Sequence, residues 1–242
     1  MSNSGNVIIY SRLWPETLAI EGICALVSYT FRITTCFSPE DLVKSLSAHP
    51  GAHVILGILP HESLRLLSML KPYLQTQHLL FWGHRFNYVD RTLPFYFLSG
   101  DIHFHEREND TVLKSQAVLS SFITSNPSVG VFDGCSAVKP EPRSTVKPEP
   151  RTVEALMSDV NDYLLRMFYH YGVDYSTGRV LQMLSCGYST KDVASSLGMS
   201  DKIVSLHKIK GLRLLHMKVS NNNIYRGIFV KKVLQQDYLG VK

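Results

Sequence analysis

STKDVASSLGMSDKIVSLHK, residues Ser189–Lys208, holds two helix starts and one enforced stop. Ser189 and Thr190 precede a run in which Val193, Ala194 and Leu197 recur at three- and four-residue steps, and the hydroxyl of one or the other can cap the free N–H groups of that first turn. Gly198 closes the run, because glycine enters the left-handed conformation of a helix C-terminus without strain. Ser200 then caps a helix from Asp201 to about Met217, with Val204, Leu212 and Leu215 on its inner side. Gly211 lies in the middle of that helix, where glycine costs about 1 kcal/mol relative to alanine, which predicts a weakened helix. Working outward, Asp174 caps an earlier helix that buries Val180, Leu181 and Leu184 and closes at Gly187. Beyond the break at Val219–Asn222, residues Asn223–Gln236 form a fourth.

Two short helices joined by a glycine-containing turn, the second rich in lysine and histidine, have helix-turn-helix geometry. The charge distribution agrees with a polyanionic partner for this part. Residues 174–242 hold 11 Lys and Arg against 4 Asp and Glu, while residues 1–126 hold 9 against 10 and residues 127–173 hold 5 against 6. The third helix of the unit should therefore enter the major groove of double-stranded DNA. Lys202, Lys208 and Lys210 fall to phosphates or guanines, Ser205 and Leu206 to base edges, with Leu206 suited to a thymine methyl. Lys191, at the start of the preceding helix, is open between the DNA backbone and solvent. His207 is open between DNA contact and helix packing, and Lys231 and Lys232 between solvent and outlying phosphates.

Before this unit the pattern changes. VKPEPR at residues 138–143 recurs unchanged at residues 146–151, and its prolines exclude helix and central strand, so residues 127–157 read as a semi-extended linker separating two domains. In residues 1–126, strand patterns at Asn6–Ser11, Thr30–Phe37, His53–Leu59, His78–Trp82 and Phe95–Leu98 alternate with helical patterns at Pro15–Ser28, from Pro39, Leu64–Leu74 and Asn109–Phe122. This rhythm predicts an α/β domain of the flavodoxin-like, doubly wound kind, followed by an all-α four-helix domain over residues 158–242. The aromatic run Phe81–Phe97 serves either as core or as a partner interface. The amphipathic helix over Ser158–Tyr171 either packs on the DNA-binding unit or dimerises. His103-Phe104-His105-Glu106 reads as a surface loop rather than a metal site.

The βα rhythm followed by a basic unit resembles a response regulator with a receiver domain. Receivers carry an acidic pair after the first strand, a phospho-accepting aspartate at the end of the third, Ser or Thr after the fourth and Lys after the fifth. Here the first strand runs into Tyr10-Ser11-Arg12, the acceptor position falls on Gly57, the fourth strand ends Phe81-Trp82-Gly83-His84 and the fifth ends at Asp101 without lysine. The resemblance implies a pseudo-receiver that keeps protein contacts but performs no phosphoryl transfer. A small-molecule sensor, using a cavity left at Gly57, is an alternative for which no residue names a ligand.

Val173–Asn221 resembles the LuxR/NarL-type (FixJ-like) helix-turn-helix domain. The matching residues are Val180-Leu181-Gln182-Met183-Leu184 before Gly187, Lys191-Asp192-Val193-Ala194 and Leu197-Gly198-Met199-Ser200, then Lys202-Ile203-Val204-Ser205-Leu206-His207-Lys208. Joined to a degenerate receiver, it is similar to auxiliary regulators of the RcsA and BglJ kind. The resemblance implies a bacterial transcription regulator acting as a homodimer or with a response-regulator partner. A conventional phosphorylated regulator and a protein-only adaptor are the alternatives.

Composition bounds these readings. A chain of 242 residues that is 45% hydrophobic and 19% charged can bury a core, which excludes wholesale disorder. No apolar run approaches the roughly 20 residues of a membrane span, and Met1–Asn6 lacks a basic, apolar secretory leader, so no membrane contact is expected. Cys24, Cys36, Cys135 and Cys186 are widely spaced and read as reduced thiols of a cytoplasmic protein. Neither GxSxG nor a glycine-rich nucleotide loop occurs, so neither enzyme activity nor a cofactor is expected.

Overall fold

A computed structural model describes residues 5–27, 31–75, 77–108, 110–124 and 152–236. The VKPEPR duplication and Cys135 lie outside the described residues. The first part alternates β1 (Asn6–Ser11), α1 (Trp14–Val27), β2 (Arg32–Cys36), α2 (Pro39–Ala48), β3 (His53–Gly57), α3 (Leu64–Leu70), β4 (His78–Gly83), α4 (Tyr88–Thr92), α5 (Pro94–Phe97), β5 (Asp101–Glu106) and α6 (Val112–Thr124). All strand pairs are parallel, in the order β2-β1-β3-β4-β5, which is the expected flavodoxin-like arrangement. Successive strand residues point to opposite faces, so each strand feeds two cores. Ile8, Tyr10, Val54, Leu56 and Phe81 face α2 to α5. Val7, Ile9, Ile55, Leu80 and Trp82 meet Ile20, Cys24, Leu119 and Phe122 of α1 and α6.

The fifth strand is not at Phe95–Leu98. Those residues lie in or border α5, where Pro94 takes the first helical position and the Leu98 N–H returns to the Pro94 carbonyl at 2.9 Å. An aromatic run of this length fits a buried strand or a buried helical turn equally, so periodicity alone does not separate them. The strand lies at Asp101–Glu106, paired with β4 from His78↔Asp101 to Gly83↔Glu106. His103-Phe104-His105-Glu106 is therefore an edge strand and not a loop. His103 Nε2 lies 3.0 Å from Asp101 and His105 Nε2 3.1 Å from Asp110. Among the described residues no group of three or more His, Cys, Asp or Glu is arranged to hold a metal ion.

The second part contains α7 (Val153–His170), α8 (Tyr175–Ser185), α9 (Thr190–Leu197), α10 (Asp201–Leu214) and α11 (Asn221–Gly227). The α7 helix begins within the stretch read as linker, capped by Thr152, whose hydroxyl accepts from the Ala155 N–H. The last helix stops at Gly227 instead of Gln236. Ile228, Phe229 and Val230 are all buried, and three consecutive residues cannot all face inward on a surface helix. Asn161 fixes this segment by accepting from the Val230 N–H at 2.9 Å and donating to its carbonyl at 3.1 Å.

The two parts are not held apart. Val160, Leu164 and Phe168 of α7, with Leu212, Leu215 and Ile228, continue the first core without a break. The Tyr88 hydroxyl donates to the Leu164 carbonyl at 2.5 Å, and its ring lies 5.3 Å from those of Phe168 and Tyr171. Tyr96 stands 5.3 Å from Tyr163. The aromatic run and the apolar face of α7, each open to an outside partner on sequence, thus meet within the chain. No helix among the described residues is long and apolar enough to cross a membrane.

Candidate nucleic-acid interface

The helix-turn-helix forms where the local signals put it. The Asp174, Ser189 and Ser200 side chains accept from the backbone N–H groups of Thr177, Asp192 and Ile203, and Asp192 completes a capping box. Gly187 and Gly198 have φ of 94° and 64°, the left-handed conformation their positions require. Val180, Val193, Ala194 and Val204 form a small core that fixes α8, α9 and α10 together.

With Val204, Leu212 and Leu215 turned inward, α10 presents the opposite face to solvent. Lys202, Lys210 and Arg213 are exposed there, as are Ile203 at 45% and Leu206 at 60%. Ser205 and Lys208 are half-buried, and Lys191 is exposed on the first turn of α9. Lys208 Nζ donates to Asn221 at 2.8 Å. Lys210 Nζ donates to Asp174 at 2.6 Å and, with the Thr177 N–H and hydroxyl, holds the Asp174 carboxyl well below the usual carboxylate range. Both partners of that ion pair are largely exposed, a setting in which such pairs contribute only about 0–1 kcal/mol, so the lysine can exchange it for a phosphate.

His207 belongs to helix packing in this structure. Its Nδ1 lies 2.8 Å from the Thr177 hydroxyl, which is itself 3.0 Å from Asp174. If the single hydroxyl proton points to the carboxylate, the imidazole donates to Thr177, tying α10 to α8. Gly211 serves the same junction. A β-carbon there would lie 2.6 Å from Leu181 Cδ1 and 2.8 Å from Thr177 Cγ2, so the glycine read as a weakness admits close approach of α8. Arg213, absent from the sequence reading, adds a cation three residues beyond Lys210. Its signal was the helical spacing from Lys202 through Leu206, which could have been extended one turn further.

The space beside Gly57, at the end of β3, is filled by side chains of the neighbouring strand and helix. A β-carbon on Gly57 would stand 2.6 Å from Ser11 Cβ and 2.9 Å from Glu16 Oε2, so Ser11 and Glu16 occupy the space a side chain at this position would need. The Ser11 hydroxyl lies 2.5 Å from Glu16 and 3.0 Å from the Gly57 carbonyl. The other Glu16 oxygen accepts from Arg107 at 2.5 Å. Arg107 directly follows β5, so the strand is followed by a cation after all.

Comparison with known proteins gives the class of fold. The chain is similar to the solved structure of the two-component response regulator RcsB in complex with DNA, with a TM-score of 0.53 and 14% identity over 92% of this chain and 96% of that one. It is similar to a structure of two RcsB dimers bound to two parallel DNAs, with a TM-score of 0.53 and 15% identity over 92% and 97%. No protein-family model and no curated protein matches the sequence. At these identities the likeness establishes the fold, a receiver-like α/β domain followed by a helical helix-turn-helix domain.

Proposed function

We propose that this chain is a bacterial, cytoplasmic transcription regulator that binds duplex DNA through α10, works without phosphorylation, and is not an enzyme. The observation that carries the reading is the solvent-exposed cationic face of α10, held on α8 and α9 in helix-turn-helix geometry. Lys202, Lys208 and Lys210 contact phosphates or guanines, Ser205 and Leu206 meet base edges, Lys191 meets the backbone, and His207 orients α10 through Thr177. Arg213 joins the phosphate contacts. Phosphorylation independence rests on Gly57 and the side chains crowding it. As a homodimer, or as an auxiliary subunit in the manner of RcsA and BglJ beside a response-regulator partner, the protein would reach two half-sites.

Duplex binding measured against salt tests this. Lys202→Ala should weaken binding across sequences and reduce the salt slope by about 1. Unchanged affinity and slope would remove Lys202 from the interface, and absence of any salt-dependent binding would overturn the reading. One observation favours a second reading, a protein-only adaptor. Ile203 and Leu206 place aliphatic side chains on the same exposed face as the cations. A mobility-shift assay with and without a candidate regulator separates the two.

A further inference from the structure

The last carbonyls of an α-helix have no partner within it. In α10 the backbone that follows serves Gly211, Leu212 and Arg213, whose carbonyls accept from the N–H groups of Leu215, Met217 and His216, and the next two carbonyls of the turn are served from the first domain. The helix closes at Leu215, and His216 follows with φ of 50°, the one non-glycine in the left-handed region among the described residues. This lets the Met217 N–H return to the Leu212 carbonyl at 2.8 Å, in a conformation that glycine adopts freely and a β-carbon resists. The carbonyls of the closing turn, Leu215 and His216, converge on Arg91 of α4. Its Nη2 donates to Leu215 O at 2.8 Å and to His216 O at 3.0 Å. Its Nη1 donates to Phe86 O at 2.7 Å and lies 3.6 Å from Glu106. The guanidinium is thus fixed from both sides, and it places a positive charge where the helix dipole is negative.

On the reading that α10 binds DNA, we infer that Arg91 is a positioning residue for the recognition helix. The pseudo-receiver is then a structural component of the DNA-binding unit: it holds the helix end that carries Lys210 and Arg213. Arg91 itself touches no DNA.

The test uses the full chain and a duplex that it selects from a random-sequence pool. Arg91→Ala should bind that duplex about ten-fold more weakly, or ~1.4 kcal/mol, with an unchanged salt slope because no phosphate contact is lost. Tyr88→Phe, which removes a neighbouring interdomain hydrogen bond without touching α10, should stay within about two-fold. Hydrogen exchange should accelerate in Arg91→Ala at Leu214–Met217 and stay unchanged in α9. Should that variant not fold, Arg91→Lys keeps the charge and one donor, with an expected loss of about three-fold. Arg91→Ala binding within two-fold of the parent, or an equal loss in Tyr88→Phe, would overturn the inference. Failure to select any duplex would sink the DNA reading instead, and the exchange comparison would then decide the cap.

Discussion

Replacing Gly211 by alanine sets two opposed effects against each other. Alanine is the better helix former by about 1 kcal/mol. Yet the new methyl would stand 2.6 Å from Leu181 Cδ1, 2.8 Å from Thr177 Cγ2 and 3.1 Å from Leu181 Cγ. Both neighbours are completely buried, and Thr177 is held by Asp174 and His207, so it cannot rotate away without giving up those bonds. Overpacking of this kind typically costs about 1–3 kcal/mol, and two simultaneous contacts with constrained partners put this site in the upper half of that range. The net expectation is destabilisation by roughly 1–2 kcal/mol. Because the core is continuous across both parts, the whole chain is the melting unit, and each kcal/mol shifts the midpoint by about 2–4 °C. Thermal unfolding followed by circular dichroism should therefore show a Tm lower by roughly 2–8 °C. The same displacement should loosen His207 and weaken duplex binding. A variant that melts higher than the parent would mean that propensity outweighs crowding, and that α8 and α10 are not packed this closely.

Three further outcomes follow from the structure. His61 is buried, which by itself lowers its pKa, but the Asp90 carboxylate at 2.6 Å together with the charge of Glu62 outweighs this and raises it above the ordinary value of 6.5. The folded state therefore holds the proton more tightly than the unfolded one. The pair's stabilisation is complete below about pH 6.5 and is lost as pH rises through the raised value. The urea midpoint should fall over that interval, and His61→Gln should flatten the fall; an identical slope in the variant would count against the pair. Incubation with acetyl phosphate and Mg²⁺ should leave the intact mass unchanged, and a stable phosphoryl adduct would contradict the pseudo-receiver. Gly57→Asp should fail to create an acceptor and should lower Tm, because even its β-carbon meets Ser11 at 2.6 Å; a labelled, equally stable variant would show the pocket to be open.

Glu62 illustrates how the halves are joined. It lies in the 3₁₀ turn Pro60–Glu62 after β3 and pairs with Arg226 of α11. Its side chain also accepts from Gln236 at 2.8 Å, while the Gln235 amide donates to the His61 carbonyl at 2.7 Å and accepts from the Leu64 N–H at 3.2 Å. The segment after α11 therefore grips the turn that follows β3. Nothing in the local sequence around Glu62 distinguishes it from an ordinary surface acid.

What the sequence determined by itself is what short-range chemistry controls. Asp174, Ser189 and Ser200 cap N–H groups three residues away, and Gly187 and Gly198 supply the positive φ that ends their helices. These interactions lie within one turn, so the helix-turn-helix and the inward residues Val204, Leu212 and Leu215 were legible without any knowledge of neighbours. The βα alternation likewise gave the flavodoxin-like order, because parallel strands buried on both faces read as continuous apolar runs. Tertiary structure alone decided the fifth strand, since Phe95–Leu98 and Asp101–Glu106 compete for one sheet edge and only register with β4 chooses between them. It alone turned Gly211 from a weak point into a contact point, moved His207 to the α8 junction, and merged the two parts through Tyr88, Arg91 and Glu62. Each of these depends on what another segment brings within a few ångströms, and that distance is set by the packing of the whole chain rather than by any one stretch of it.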